Sequence, residues 1–262
     1  MPETSHAARP VIELRQVAVV DSHTPEMVLI DDLTWRIEAG DYWVVGGLPG
    51  SGKSDLLATA IGLQKPLRGF YELFGRDTAE LSDEELAKER LRIGLVFGNE
   101  GRLFQDLSIA EHVALPLAYH RNLPPSETAS QVAEVLELVG LSAVSHRLPS
   151  SLHRYLRPRA ALARALALRP EVLLLDEPVR GLARREVRWW QDFLCGLNKG
   201  HPFFDGQTVT LVVTTNDLSV WANQAQKFGL ISAQRWTFLG GRCELKAHRE
   251  PVLRELLDFV ET

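Results

Sequence analysis

The sequence predicts an α/β fold in which a mainly parallel sheet is covered on both sides, with antiparallel strands ahead of it. Three observations carry this. Short apolar, β-branched runs alternate with segments of helical period through most of the chain, the pattern of strand-helix-strand units. A glycine-rich turn, Gly47 to Gly52, lies between a compact apolar strand and a helix. The composition, 45% hydrophobic and 24% charged, is that of an ordinary globular domain. The 19 glycines and 14 prolines are only about 13% of the 262 residues, far below the level that marks low-complexity chains. Dividing the length by about 150 gives roughly 1.7 domain units, which fits one large domain with a smaller lobe. A chain of this size can bury its own core.

Taken in order, Val11–Val20 and Met27–Ile37 are β-branched runs broken by Asp and Pro and read as antiparallel strands. Tyr42–Gly46 is a compact apolar strand, and Lys53–Leu63 carries Leu56, Leu57, Ala60 and Ile61 at helical spacing. Phe70–Phe74 reads as a strand, Ala79–Arg92 as an acidic helix and Ile93–Phe97 as an apolar strand. Pro124 and Pro125, followed by Ser126 and Glu127, start a helix that runs to Leu138 and stops at Gly140. Ala160–Leu168 fits a helix closed by Pro170. Glu171–Leu175 is too short for a helix and reads as a buried strand ending in acidic residues. A helix carrying Trp189 and Trp190 follows; adjacent residues cannot share one face, so one ring is core and the other covers a boundary. His201–Asp205 reads as a surface turn with its phenylalanines tucked back, and Thr208–Thr215 as a strand. Pro251–Val260 has the spacing of a short amphipathic helix.

Charge and cysteine usage narrow the function classes. The 29 Lys and Arg against 34 Asp and Glu leave a net charge of −5, so a polyanion-binding surface is disfavoured and no nucleic-acid partner is expected. Cys195 and Cys243 stand alone and write neither a disulfide framework nor a zinc site. No secretory signal is visible in Met1–Pro10, and no stretch approaches the roughly 18 apolar residues of a membrane span. A soluble protein that reaches a membrane only through a partner is expected.

The chemistry is concentrated in two motifs. Gly47-Leu48-Pro49-Gly50-Ser51-Gly52-Lys53-Ser54 matches G-x-x-x-x-G-K-[ST] in full, between a strand and a helix. Glycines let backbone N–H groups curl around phosphate oxygens, and the helix that follows adds its positive end. Gly47, Pro49, Gly50, Ser51 and Gly52 would form the cradle, Lys53 would neutralise β and γ phosphates, and Ser54 would offer its hydroxyl to Mg²⁺. Val172–Leu175 then delivers Asp176 and Glu177 at a strand end. Asp176 fits the Mg²⁺ shell and Glu177 a base for water, the two acidic roles that phosphoryl transfer needs.

With these residues in view, the chain resembles the nucleotide-binding subunit of ABC transporters. The resemblance runs through Gly47–Ser54, through Leu173-Leu174-Leu175-Asp176-Glu177-Pro178 with Gly181-Leu182, and through Ala161-Leu162-Ala163-Arg164-Ala165-Leu166. It covers about Val11 to Gly240. It implies a P-loop core with an N-terminal antiparallel β lobe over 11–98 and 168–240, a helical lobe over 99–167 and a helical tail over 241–262. It also implies ATP and Mg²⁺ as cofactors, integral membrane permease subunits and a second ABC ATPase subunit as partners, and a cytoplasmic place at the inner face of the membrane. In such pairs each ATP lies between one subunit's phosphate loop and the other's signature segment.

The likeness breaks at several functional slots. Leu152-His153-Arg154-Tyr155-Leu156 stands where Leu-Ser-Gly-Gly-Gln is usual, replacing small residues by bulky ones and removing backbone access to an anion. Proline lacks an N–H and suits only a first helical turn, so Pro158 predicts a helix starting between Tyr155 and Pro158, with Arg157 extended. Gly98 takes the place of the usual glutamine, with Asn99 beside it. Asn216 replaces the usual histidine; an amide orients water but takes no proton near neutral pH. Ala183 replaces an aspartate, and the nearest ring to the adenine-stacking position is His23. The residues retained serve Mg-ATP binding, while those that sense the γ-phosphate are altered, so slow or partner-dependent hydrolysis is expected from Glu177 and Asn216. Leu103–Leu117 resembles lipid-trafficking cassettes, including the Mla or MCE type, and is similar to lipoprotein-releasing and macrolide-export cassettes too; the tail resembles the short C-terminal helix of the Mla type or is a generic amphipathic packing helix. A regulatory cassette paired with an intact one, and a soluble ABC-class ATPase linked to nucleic acid through Arg147, Arg154, Arg157 and Arg159, remain open.

Overall fold

The computed structural model describes residues 10–98, 101–121, 124–245, 248 and 250–257. The strands are β1 (Pro10–Val20), β2 (Val28–Glu38), β3 (Tyr42–Gly47), β4 (Phe70–Leu73), β5 (Arg76–Asp77), β6 (Ile93–Val96), β7 (Val172–Asp176), β8 (Thr210–Thr215), β9 (Lys227–Ser232) and β10 (Arg235–Gly240). They form one sheet in the order β5-β4-β1-β2-β10-β9-β3-β8-β7-β6. From β9 to β6 the five strands are parallel, and β1 pairs antiparallel with both β2 and β4. The mixed α/β architecture is therefore the expected one, with a single continuous sheet joining its two parts.

The parallel strands read as unbroken apolar runs because both of their faces are covered. Along β7, Leu173 and Leu175 enter one core, and Val172 and Leu174 enter the other, as strand alternation requires. Helix α1 (Lys53–Ala60) covers the second face with Leu56, Leu57 and Ala60. Helix α2 (Asp83–Arg90) starts later than the acidic run suggested, because Ser82 caps it in a reciprocal pair with Glu85. Helices α3 (Ile109–Arg121), α4 (Pro125–Leu138) and α5 (Arg157–Leu166) pack on one another over the first face. The α4 bounds follow the prolines at its start and Gly140, at φ 71, just past its end.

Helix α6 (Arg184–Lys199) shows the division expected of its two tryptophans. Trp190 is fully buried beneath the sheet; an indole of this size in a packed core is worth about 3–5 kcal/mol on truncation. Trp189 lies half-exposed, stacked on Phe193 at 4.8 Å, with the Arg159 guanidinium of α5 at 3.7 Å over its ring. Phe203 and Phe204 are buried behind a short turn, as expected. The sequence reading placed no strands after Thr215, whereas β9 and β10 form a hairpin there and separate β3 from β2. Helices α7 (Arg242–Leu245) and α8 (Pro251–Leu257) close the chain; the end of the helix expected to reach Val260 falls outside the described residues.

Two side chains fasten the segment 101–104 to the helices. Arg164 of α5 donates to the carbonyls of Gly101 at 2.8 Å and Arg102 at 3.2 Å. His112 of α3 is fully buried; its Nε2 accepts from the Phe104 N–H at 2.9 Å, which leaves Nδ1 to donate to Ser108 O at 2.8 Å. Both ring nitrogens are satisfied only in this neutral form. Burial holds the imidazole below its ordinary value and Arg164 adds to that, while the Ser108 hydrogen bond and Glu111 pull upward. The unfolded chain therefore binds this proton first, so the stabilisation is full above about pH 6.5 and declines as the pH falls toward the folded-state value. His112→Asn should reduce the drop in urea midpoint that the wild type shows between about pH 7.5 and about pH 5.5; an unchanged pH dependence would remove the imidazole from this role.

Candidate functional site

The carboxyl ends of β3, β8 and β7 lie side by side, so the residues that follow them share one edge of the sheet. After β3 the chain turns through Leu48–Gly52 and enters α1 at Lys53. Gly52 makes that entry in the left-handed region, at φ 93, and a Cβ there would meet the Leu29 Cβ at 2.9 Å. Any other residue would be both strained and crowded. Lys53 curls back into the turn: its ammonium, only 5% exposed, donates to Gly47 O at 2.7 Å and Leu48 O at 2.9 Å.

The second motif arrives opposite. Asp176 pairs in register with Thr214 of β8, whose hydroxyl donates to Asp176 Oδ1 at 2.9 Å. Ser54 Oγ donates to Asp176 Oδ2 at 2.7 Å. Glu177 follows in the left-handed region at φ 44, its N–H shared between the carbonyl and the hydroxyl of Thr214, each at 3.2 Å. That conformation costs a non-glycine residue about 1 kcal/mol or more. It brings Glu177 Oε1 to 3.1 Å from the Lys53 ammonium.

These groups surround a cleft of about 570 Å³, within the size range of small-molecule sites. Pro49, Gly50, Gly52, Lys53, Ser54, Asp176 and Glu177 line it; Gly47 and Ser51 stand behind, one holding Lys53 by its carbonyl and the other with a buried hydroxyl that has no hydrogen-bond partner among the described residues. That orphaned hydroxyl and the buried ammonium fit an anion carrying several oxygens. The Ser54 and Asp176 oxygens fit a hard cation that keeps water and phosphate oxygens in its shell. The expected set is thus brought together, with Gly47 and Ser51 behind the cleft wall and Asn216 off it. Asn216, in the turn after β8, is half-buried and is not among the residues lining the cleft.

The divergent slots also have structural consequences. Leu152 is buried, a 3-10 turn spans Arg154–Leu156, and α5 begins at Arg157 with Pro158 second, inside the expected range. Arg157, expected to be extended, is instead helical at φ −61 and ψ −45. Its N–H closes the turn on Arg154 O, and its Nε donates to Pro149 O at 3.1 Å, which outweighs the pre-proline preference. Arg154 lines the same cleft as this chain's own phosphate loop. A Cβ at Gly98 would come within 2.9 Å of Asp176 Oδ2, so no glutamine fits that slot unless the carboxylate moves. Asn99 lies outside the described residues, and His23 sits on an exposed loop, off the cleft.

Sequence reasoning missed Thr214 as a carboxylate partner; only the register of β7 against β8 reveals it. It also missed Arg180, whose guanidinium lies 3.2 Å from Glu177 Oε2.

A protein-family model described as ABC transporter matches residues 30–180. Among curated proteins, the chain is 32% identical over 228 residues to the probable ribonucleotide transport ATP-binding protein mkl of Mycobacterium leprae (strain TN), covering 87% of this chain and 64% of that protein. It is 36% identical over 156 residues to the intermembrane phospholipid transport system ATP-binding protein MlaF of Haemophilus influenzae, covering 60% of this chain and 59% of that protein. The chain thus spans less than two thirds of either relative. Among solved structures it is similar to the ATP-binding cassette MJ0796, a dimer in a post-hydrolysis state bound to ADP and Pi, with TM-score 0.76 and 27% identity over 88% of this chain and 99% of that one.

Two substitutions test the geometry. Lys53→Ala should take Mg-ATP binding below detection by calorimetry, since the buried ammonium is the cation set inside the loop. Thr214→Val should weaken the Mg²⁺ dependence of nucleotide binding by about fivefold, the worth of one hydrogen bond orienting Asp176. Equal ATP affinity in wild type and Lys53→Ala would displace the site.

Proposed function

The chain belongs to the ABC transporter family, and from that premise we propose that it is the ATP-binding subunit of a transporter. In this reading it binds Mg-ATP in the cleft between Gly47–Ser54 and Asp176–Glu177, pairs with a second ATPase subunit, and serves membrane-embedded permease subunits from the cytoplasmic side. The observation that carries the reading is the closed set of contacts joining the two motifs: Lys53 to Glu177 at 3.1 Å and Ser54 to Asp176 at 2.7 Å.

Each residue then has a task. The loop amides and the start of α1 receive the phosphates, and Lys53 exchanges Glu177 for β and γ oxygens. Bound Mg²⁺ would neutralise charge that builds up on those oxygens. Ser54 and Asp176 would hold it, with Thr214 keeping the carboxylate turned toward it. Glu177, freed from Lys53, would accept the proton of the attacking water. Asn216 has no group that takes a proton near neutral pH and contributes at most orientation.

Among the described residues, no helix is long and apolar enough to cross a membrane. Exposed Phe104, Leu115 and Tyr119, on and beside α3, supply apolar surface for a permease contact. A phospholipid-like cargo is supported by the resemblance of Leu103–Leu117 to lipid-trafficking cassettes and by the identity to MlaF. The altered slots support a second reading, a regulatory cassette whose intact partner carries the turnover. The bulky Arg154–Leu156 turn and the proline-led start of α5 leave no small-residue helix end to receive a partner's phosphate.

Measuring ATP hydrolysis by the purified chain, alone and with its permease and partner subunits, tests both readings. The isolated chain should bind Mg-ATP yet turn it over about a hundredfold or more slowly than the assembled complex, because several groups around the γ-phosphate are lost. Brisk turnover by the homodimer that Glu177→Gln abolishes would overturn the impaired-hydrolysis reading, and failure to bind nucleotide would overturn the assignment itself.

A further inference from the structure

The feature that the roles above leave unused is the second cation on Glu177. Its carboxylate is bridged: Oε1 lies 3.1 Å from the Lys53 ammonium, and Oε2 lies 3.2 Å from Arg180 Nη1. The tight turn from Glu177 to Arg180, closed by the Arg180 N–H on Glu177 O at 3.2 Å, folds the arginine back over the acid. Gly181, at φ 70, then leads the chain away. Arg180 lines the cleft and is 60% exposed, while Glu177 is only 12% exposed. Glu177 Oε2 accepts no hydrogen bond of proper angle among the described residues, so its pairing with Arg180 is an ion contact without a directed bond.

This arrangement places one carboxylate between the cation of the phosphate loop and an arginine of the same chain. A triphosphate carries several negative charges and several acceptor oxygens, and a guanidinium matches phosphate geometry with two parallel donors. Arg180 lines the same cleft as Lys53 and, among the described residues, is the other cation within ion-pair distance of the Glu177 carboxylate. We propose that Arg180 is a contact for the terminal phosphate supplied in cis: in the nucleotide-free cleft it is held by Glu177, and on ATP binding it moves to the γ-phosphate and releases the acid. The cleft then distinguishes ATP from ADP by a residue of its own.

This inference rests on the ATP-site reading, and one set of titrations separates the two. Binding of ADP and of a non-hydrolysable ATP analogue, each with Mg²⁺, is measured by calorimetry on the full chain as wild type, Arg180→Ser and Arg180→Lys. Arg180→Ser should lose about tenfold or more in affinity for the analogue while ADP stays within about twofold, and Arg180→Lys should recover part of the loss. The same comparison in a Glu177→Gln background excludes an indirect effect, because an arginine that only positions Glu177 would matter little once the acid is neutralised. Persistence of the Arg180→Ser loss there supports the phosphate contact, and its disappearance overturns it. An equal shift for ADP and analogue, or no shift, also overturns it. A wild-type chain that binds neither nucleotide would overturn the ATP site itself, and with it the arginine's role. The lysine variant, which keeps the charge and most of the stem, provides a folded control if the serine variant melts early.

Discussion

The Lys53 ammonium sets the terms for the rest of the site. A full positive charge at 5% exposure is tolerated only where fixed dipoles and an anion surround it, and breaking such a pair costs several kcal/mol. Two of its three acceptors are carbonyls of the turn that precedes it, so the turn must curl. Its third is Glu177, which reaches it only because the backbone there is left-handed, and that conformation is held by two acceptors on Thr214. Thr214 in turn lies opposite Asp176 by strand register, and Asp176 holds Ser54, one residue beyond the lysine. The circuit closes on itself. A site of this kind is built from three strand ends whose parallel pairing makes their separation a property of the sheet.

The opposite wall of the cleft is tied to the helices through backbone contacts. Arg164 grips the carbonyls of Gly101 and Arg102 from α5, and His112 grips the Phe104 N–H from α3, so a shift of either helix moves the segment between them. Arg102 lies over Phe97, at the end of β6, and lines the cleft. Helix α5 also touches α6 through Arg159 over Trp189. The helices are thus joined to the cleft by a short covalent and hydrogen-bonded path.

Much of this was legible in the sequence, for identifiable reasons. The parallel strands are continuous apolar runs, and the phosphate loop has few backbone solutions once Gly52 and Lys53 are given. Helix starts were marked by Pro125 and Pro158, and one stop by Gly140. The β9–β10 hairpin was not legible because its turn uses Ala233 and Gln234, both at positive φ, in place of Asn-Gly or Asp-Gly. Arg157 ran against its local rule because contacts to Arg154 and Pro149, invisible in a residue pattern, outweigh the preference. Thr214 and Arg180 escaped for the same reason, since pairing across 38 residues or around a tight turn leaves no periodic trace.

Two of the slots where the resemblance breaks, Gly98 and Leu152–Leu156, border the cleft. Gly98 in place of a long side chain leaves the room that the Asp176 carboxylate occupies while holding Ser54. Arg154, in the segment that has lost its small residues, faces the cleft of its own chain. Helix α5 begins at Arg157 with Pro158 second, and the turn before it stacks His153 against Tyr155 at 5.7 Å. Arg180 lies beside Glu177, which is also held by Lys53. Arg154 and Arg180 thus add cationic side chains to the cleft that already holds Lys53. On the proposed reading, a cleft of this kind meets more of a bound phosphate's charge from its own chain, while Asn216, off the cleft, adds no proton acceptor.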